Sequence, residues 1–191
     1  HASLDLSYDP LWSFPKFRFI KSHDFYNKNY LFVIYLIRDP YKVMNSYYIF
    51  NKQLGNFTGT FEEFIRHDNF GIKAWSEHIS SWLDRGVSNQ KIHLVKYEDL
   101  INNPLDEIRN IYKNLGLFID DNFIKNSINL SDMTNMKASE EFHKKYNPNY
   151  SHFQFIGKGQ IDFDTIMSDK AKEYIKETIK SNKVFNDFYK D

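Results

Sequence analysis

No cysteine occurs among the 191 residues. That one absence excludes disulfide scaffolds, thiolate zinc sites and a cysteine nucleophile, and it fits a reducing compartment. An excess of one charge is missing too: 25 Lys and Arg stand against 25 Asp and Glu. No global field therefore recruits DNA, RNA or an anionic membrane, and only a local basic pocket is left open. The longest apolar run, Leu31 to Ile37, falls far short of the roughly 20 residues that a bilayer span needs. No signal-peptide pattern opens the sequence, so neither a nucleic acid nor a membrane is an expected partner. Glycine and proline are scarce, at 7 and 5 residues, and no linker, repeat or low-complexity tract divides the chain. What is plentiful is apolar surface, with 41% hydrophobic and 18% aromatic residues. A chain of this length buries roughly 70% of its unfolded surface, which predicts one domain over residues 1–191.

Phe17–Ile20 reads as a short strand. Leu31–Ile37 is a continuous β-rich apolar run of the kind buried on both faces of a parallel sheet. At Asp39-Pro40 the period changes, because Asp39 is a good N-cap, Pro40 suits the first helical position, and Val43, Tyr47 and Phe50 recur at helical spacing. Thr60 and Glu63 have capping-box spacing, and Ile72, Trp75, Ile79 and Trp82 or Leu83 form a second helical stripe ending at Arg85-Gly86. Lys91–Val95 is the next strand. A helix from about Pro104 to Leu115 follows, with Gly116 as its stop, and further short helices are expected near 120–141 and 168–181. Strands alternating with helices predict a three-layer α/β domain with a mostly parallel sheet, whose ligands sit at the carboxyl ends of its strands.

Three features could carry chemistry. Arg38 stands at the carboxyl end of the apolar strand, and Ser46 lies in the helix that follows. A forked guanidinium beside a helix start with free N–H groups is suited to a phosphate. Taken alone, the pattern is equally open to Arg38 pairing with Asp39 or Glu98 and to Ser46 satisfying its own helix. Lys21-Ser-His23 follows the first strand; a histidine can take a proton from a hydroxyl while an ammonium stabilises a leaving group. In isolation it reads as two exposed loop residues. Gly157-Lys158-Gly159 permits close backbone approach to a ligand and offers one cation. Phe61, Phe64, Trp75 and Trp82 are assigned to packing. His67, His78, His93, His143 and His152 have no metal-ligand spacing, so no metal site is expected.

Read in order, Lys21-Ser-His23, Ile34–Pro40 through Ser46-Tyr-Tyr48, Phe61–Phe64, Trp75 with His78 and Trp82, Lys96–Leu100, Pro104 with Ile108-Arg109, Leu115-Gly-Leu117 and Lys158-Gly159 resemble the cytosolic-type sulfotransferases. These enzymes use 3′-phosphoadenylyl sulfate (PAPS). The resemblance covers about residues 17–165 and implies a P-loop NTPase-like sulfotransferase fold, PAPS as sulfuryl donor, and a cytoplasmic location. The acceptor would be a hydroxyl or amine on a small molecule or glycan. It further implies that Arg38 and Ser46 bind the 3′-phosphate, that His23 is the general base, and that Lys21 stabilises charge on the bridging oxygen. Tyr97 and Ser131 would lie near the adenine, and Lys158-Gly159 would close over the 3′-phosphate.

The departures carry expectations of their own. The family's phosphosulfate loop, of the form Pro-Lys-Ser-Gly-Thr-Thr-Trp, has no counterpart in the twenty residues before Lys21, and residue 1 is His rather than Met. A fragment lacking the first strand and this loop, inactive or impaired by itself, is the expectation. Ser22 replaces the usual Thr, Gly157 replaces a phosphate-binding Arg, and Asp132 and Met133 replace residues near the adenine, so lower cofactor affinity is anticipated. The carboxyl-terminal dimerisation motif of the animal enzymes is not recognisable, which leaves the oligomeric state open. A non-catalytic nucleotide-binding or interaction domain of the same fold is the alternative. A nucleotide kinase is a weaker one, since no Walker-type Gly-x-x-x-x-Gly-Lys occurs.

Overall fold

The computed structural model describes residues 19–84, 91–147 and 167–188. Among these the order is β1 (Phe32–Ile37), α1 (Pro40–Gln53), α2 (Phe61–Arg66), α3 (Ile72–Leu83), β2 (Lys91–Lys96), α4 (Tyr97–Asn102), α5 (Pro104–Asn114), α6 (Asp121–Leu130), α7 (Met133–Tyr146), α8 (Asp169–Lys180) and α9 (Lys183–Phe188). β1 and β2 pair in parallel, in a register running from Phe32 opposite Lys91 to Ile37 opposite Lys96. Helices α1 to α3 form the crossover between them, as a parallel connection requires.

Local chemistry sets the helix boundaries. The Asp39 carboxylate accepts from the Lys42 N–H at 2.9 Å and Pro40 opens α1. Thr60 and Glu63 close a reciprocal capping box at the start of α2, with the Thr60 N–H donating to Glu63 Oε2 at 2.7 Å. α5 stops at Gly116, whose φ of 72° is the left-handed conformation in which glycine carries no Cβ penalty. Gly71 answers to a different constraint: a Cβ there would meet the backbone oxygens of Ile65 and His67 at 2.5 Å, so the close junction of α2 and α3 needs glycine.

The main core lies between α1, α2, α3 and α8. Met44, Tyr48, Phe61, Phe64, Ile65, Ile72, Ala171 and Ile175 are buried together with Met167. Phe64 meets Tyr48 at 5.4 Å and Phe57 at 5.2 Å between ring centroids, in edge-on geometries that add to the area they bury. A second cluster joins Ile37 of β1 to Ile79 of α3 and Phe185 of α9. Asn182 ties the turn between α8 and α9 to α3 by donating to the Ser76 carbonyl at 3.0 Å and to the Ser76 and Ser80 hydroxyls.

Two expectations are corrected. Phe19 and Ile20 are exposed and lie outside any strand, while Phe17 and Arg18 fall outside the described residues. No ladder partner for Phe19 and Ile20 exists among the described residues; the segment that follows is held by side chains of α3 instead. β1 is not buried on both faces either: Ile37 is 2% exposed, but Ile34 and Leu36 on the opposite face are 39% and 53% exposed. Packed elements explain the difference. α3 and α9 cover the Ile37 face, whereas the described helix α5 packs against β2 and leaves Ile34 and Leu36 of β1 exposed.

Candidate active site

The carboxyl ends of the two strands stand side by side, because Ile37 is in register with Lys96. The next residues on each strand are therefore neighbours. The Arg38 guanidinium lies over the Tyr97 ring, 4.4 Å from its centroid. The Asp39 N–H donates to Glu98 Oε1 at 3.3 Å. Glu98 thus braces the backbone at the mouth of α1 through the residue after Arg38. Among the described residues Arg38 Nε is buried without a hydrogen-bond partner, an unusual state for so strong a donor. A guanidinium stacked on one face, with a spare buried N–H beside the start of a 14-residue helix, fits an anionic group. Ser46 is exposed on α1, six residues or about 9 Å along the axis from Pro40.

Lys21 and His23 lie in an exposed loop that crosses α3. The loop is fixed through one backbone atom: the Asp24 carbonyl accepts from His78 Nε2 at 2.9 Å and from Trp82 Nε1 at 3.0 Å. Tyr35 of β1 completes the connection, its hydroxyl 2.9 Å from His78 Nδ1. Burial holds the His78 imidazole below its ordinary value, outweighing the hydrogen bond to the Asp24 carbonyl, which acts the other way. Burial likewise pushes the Tyr35 phenol well above its usual range, so both partners are neutral near pH 7.

Ser131 sits exposed on the turn between α6 and α7, where its N–H reaches the Ser127 and Ile128 carbonyls. Among the described residues no hydrogen bond or ring contact joins Ser131 or Ser46 to the Arg38–Tyr97 pair. Lys158 and Gly159 lie outside the described residues. His78, Tyr35 and Asp24 escaped the sequence reading of the site, and Trp82, assigned to packing, is buried but also donates to the loop. The available signal was the four-residue spacing of His78 and Trp82, which puts two ring N–H donors on one helix face.

A family model described as the sulfotransferase domain matches residues 3–188. The chain belongs to the sulfotransferase family. Human Sulfotransferase 4A1 is 31% identical over 93 residues, which are 46% of this chain and 32% of that protein. Mouse Sulfotransferase 1B1 is 27% identical over 138 residues, 68% of this chain and 46% of that protein. The chain thus matches about a third to a half of the length of these sulfotransferases. Among solved structures, mouse sulfotransferase SULT7A1 complexed with PAP aligns with a TM-score of 0.57 at 17% identity, covering 78% of this chain and 56% of the other. Retinol dehydratase in complex with androsterone and the inactive cofactor PAP aligns with the same TM-score at 21% identity, covering 78% and 46%. At such identities the likeness establishes the sulfotransferase fold. Among the described residues no cluster of three or more His, Asp or Glu could hold a metal ion, and no helix is long and apolar enough to cross a membrane.

Proposed function

We propose that this chain transfers a sulfuryl group from PAPS to a hydroxyl or amine acceptor, acting as part of a cytoplasmic sulfotransferase. The observation that carries the reading is Arg38: its buried Nε lacks a partner among the described residues and its guanidinium lies over Tyr97 at the sheet's carboxyl edge. The PAP in both aligned structures supports the same donor. Arg38 and Ser46 would hold the 3′-phosphate, Tyr97 and Ser131 would border the adenine, and Lys158-Gly159 would close on the phosphate.

In the transfer, a bond forms between the acceptor oxygen or nitrogen and sulfur as the bond from sulfur to the bridging phosphate oxygen breaks. The acceptor proton passes to His23, and Lys21 stabilises the charge that gathers on the bridging oxygen. Sulfuryl transfer, like phosphoryl transfer, spreads charge over equatorial oxygens, so positioning and electrostatics supply most of the rate. Small-molecule acceptors are favoured by the androsterone and retinol found in complexes of retinol dehydratase; a glycan acceptor is the other class.

The test is His23→Ala, assayed for turnover with PAPS and for binding of adenosine 3′,5′-bisphosphate, the product that PAPS leaves. Turnover is expected to fall about 10²- to 10⁴-fold, the usual worth of a general base, with bisphosphate affinity unchanged. Equal losses in both would contradict the role of His23 as base.

A further inference from the structure

Lys21 to Phe25 are all exposed, yet the loop they form is tied down at several points. His78 and Trp82, one turn apart on α3, both donate to the Asp24 carbonyl and so occupy its two lone pairs. Because a carbonyl only accepts, His78 Nε2 carries the hydrogen; Nδ1 is then the acceptor, and the Tyr35 hydroxyl donates to it. A continuous path runs from β1 through the His78 ring to the residue after His23. The Ser22 hydroxyl donates to Asp24 Oδ2 at 2.8 Å while the Asp24 N–H donates to Ser22 Oγ at 3.0 Å, closing a turn around His23. Beyond it, Phe25 packs on His78 with ring centroids 5.5 Å apart. Tyr26 and Tyr30 pack on Trp82 at 5.5 and 6.1 Å, and the Tyr26 N–H donates to Ser81 Oγ.

We infer that His78 is a positioning residue which, together with Trp82, fixes the loop carrying Lys21 and His23 onto α3 and, through Tyr35, onto β1. The same strand leads directly into Arg38, so one rigid element sets the proposed base and the proposed phosphate grip in a common frame. This inference rests on the reading of His23 as the base. The ring must stay neutral to serve: protonation at Nδ1 would turn the acceptor of the Tyr35 hydroxyl into a second donor. Burial, the largest influence on His78, disfavours that protonation.

The test compares His78→Leu, His78→Gln and Trp82→Phe by backbone ¹⁵N relaxation of the chain. Glutamine keeps one donor and one acceptor at the His78 position, and phenylalanine keeps the Trp82 packing while losing its N–H. Order parameters at Ser22, His23 and Asp24 are expected to drop from about 0.85 toward 0.6 in His78→Leu, to drop part of the way in Trp82→Phe, and to hold in His78→Gln. Unchanged order in both of the disabling variants would overturn the inference, and so would a glutamine variant as mobile as the leucine one. In turnover assays His78→Leu is expected to lower kcat about 10- to 100-fold, the scale of a misplacement near 1 Å, with KM for PAPS preserved. In a His23→Ala background that loss is expected to shrink to the share carried by Lys21; an undiminished loss would overturn positioning through His23. If His23→Ala alone leaves kcat intact, the assignment of the base fails instead, and the order parameters still decide whether α3 holds the loop.

Discussion

Replacing Arg38 with alanine separates a ligand-binding arginine from a structural one. Without ligand, the substitution removes a cation–π contact with Tyr97, worth about 0.5 to 2 kcal/mol. It also removes a buried Nε that has no partner among the described residues, whose desolvation costs about 1 to 3 kcal/mol. The two nearly cancel, so stability in the absence of ligand is expected to change by no more than about 1 kcal/mol. With ligand the balance differs. Adenosine 3′,5′-bisphosphate at 100 times its Kd stabilises the native state by about 2.7 kcal/mol, or roughly 5 to 11 °C in Tm for a chain of this size. Losing a bidentate phosphate contact at about 1.5 to 3 kcal/mol per charge-assisted bond raises Kd about 100-fold or more. At the same ligand concentration the stabilisation shrinks to about 0.4 kcal/mol, a shift of roughly 1 to 2 °C. The assay is a thermal-shift titration with the bisphosphate against adenosine 5′-diphosphate, which lacks the 3′-phosphate. A ligand-free variant destabilised by more than about 2 kcal/mol, or a wild type that responds equally to both nucleotides, would refute the reasoning.

Phe64→Ala is expected to cost about 3 to 5 kcal/mol in urea unfolding, because the side chain is fully buried among Tyr48, Phe57 and Phe70; a loss under about 1 kcal/mol would place the core elsewhere. Acidification from about pH 7.5 is expected to weaken the fold through His78. Its pKa is held below 6.5 in the native state, so the unfolded chain binds more protons and stability falls as pH drops through the unfolded value. His78→Gln flattens that slope, which equilibrium unfolding at several pH values measures. Glu62 behaves as a depressed carboxylate, lowered first by the Ser168 hydroxyl that donates to it at 2.6 Å. Its contribution is present above the unfolded pKa and lost as pH falls through the folded one. Carboxyl ¹³C titration should place its midpoint below 4.5 and see it rise in Ser168→Ala.

Local signals wrote the helix boundaries into the sequence. Asp39-Pro40, the Thr60–Glu63 box and Gly116 act over three or four residues, and the structure forms α1, α2 and the end of α5 where they direct. The Arg38 motif was legible for the same reason, since a strand end followed by a capped helix is a local pattern. Burial was not local. The run from Leu31 to Ile37 reads as a strand covered on both faces, but whether Ile34 and Leu36 are covered depends on which helices pack there, and periodicity carries no such information. The placement of Phe19 and Ile20 failed likewise, because a short β-rich run becomes a strand only when a ladder partner is available. The partners of Arg38 were equally beyond reach. Asp39 and Glu98 were both plausible acceptors by spacing, while the parallel register set Tyr97 beneath the guanidinium and turned Glu98 toward the Asp39 N–H. The sequence alone determined the chemical groups and the family pattern that orders them. Tertiary structure decided that His78 and Trp82, more than fifty residues from Asp24, converge on its carbonyl, because that contact exists only once the crossover has folded α3 against β1.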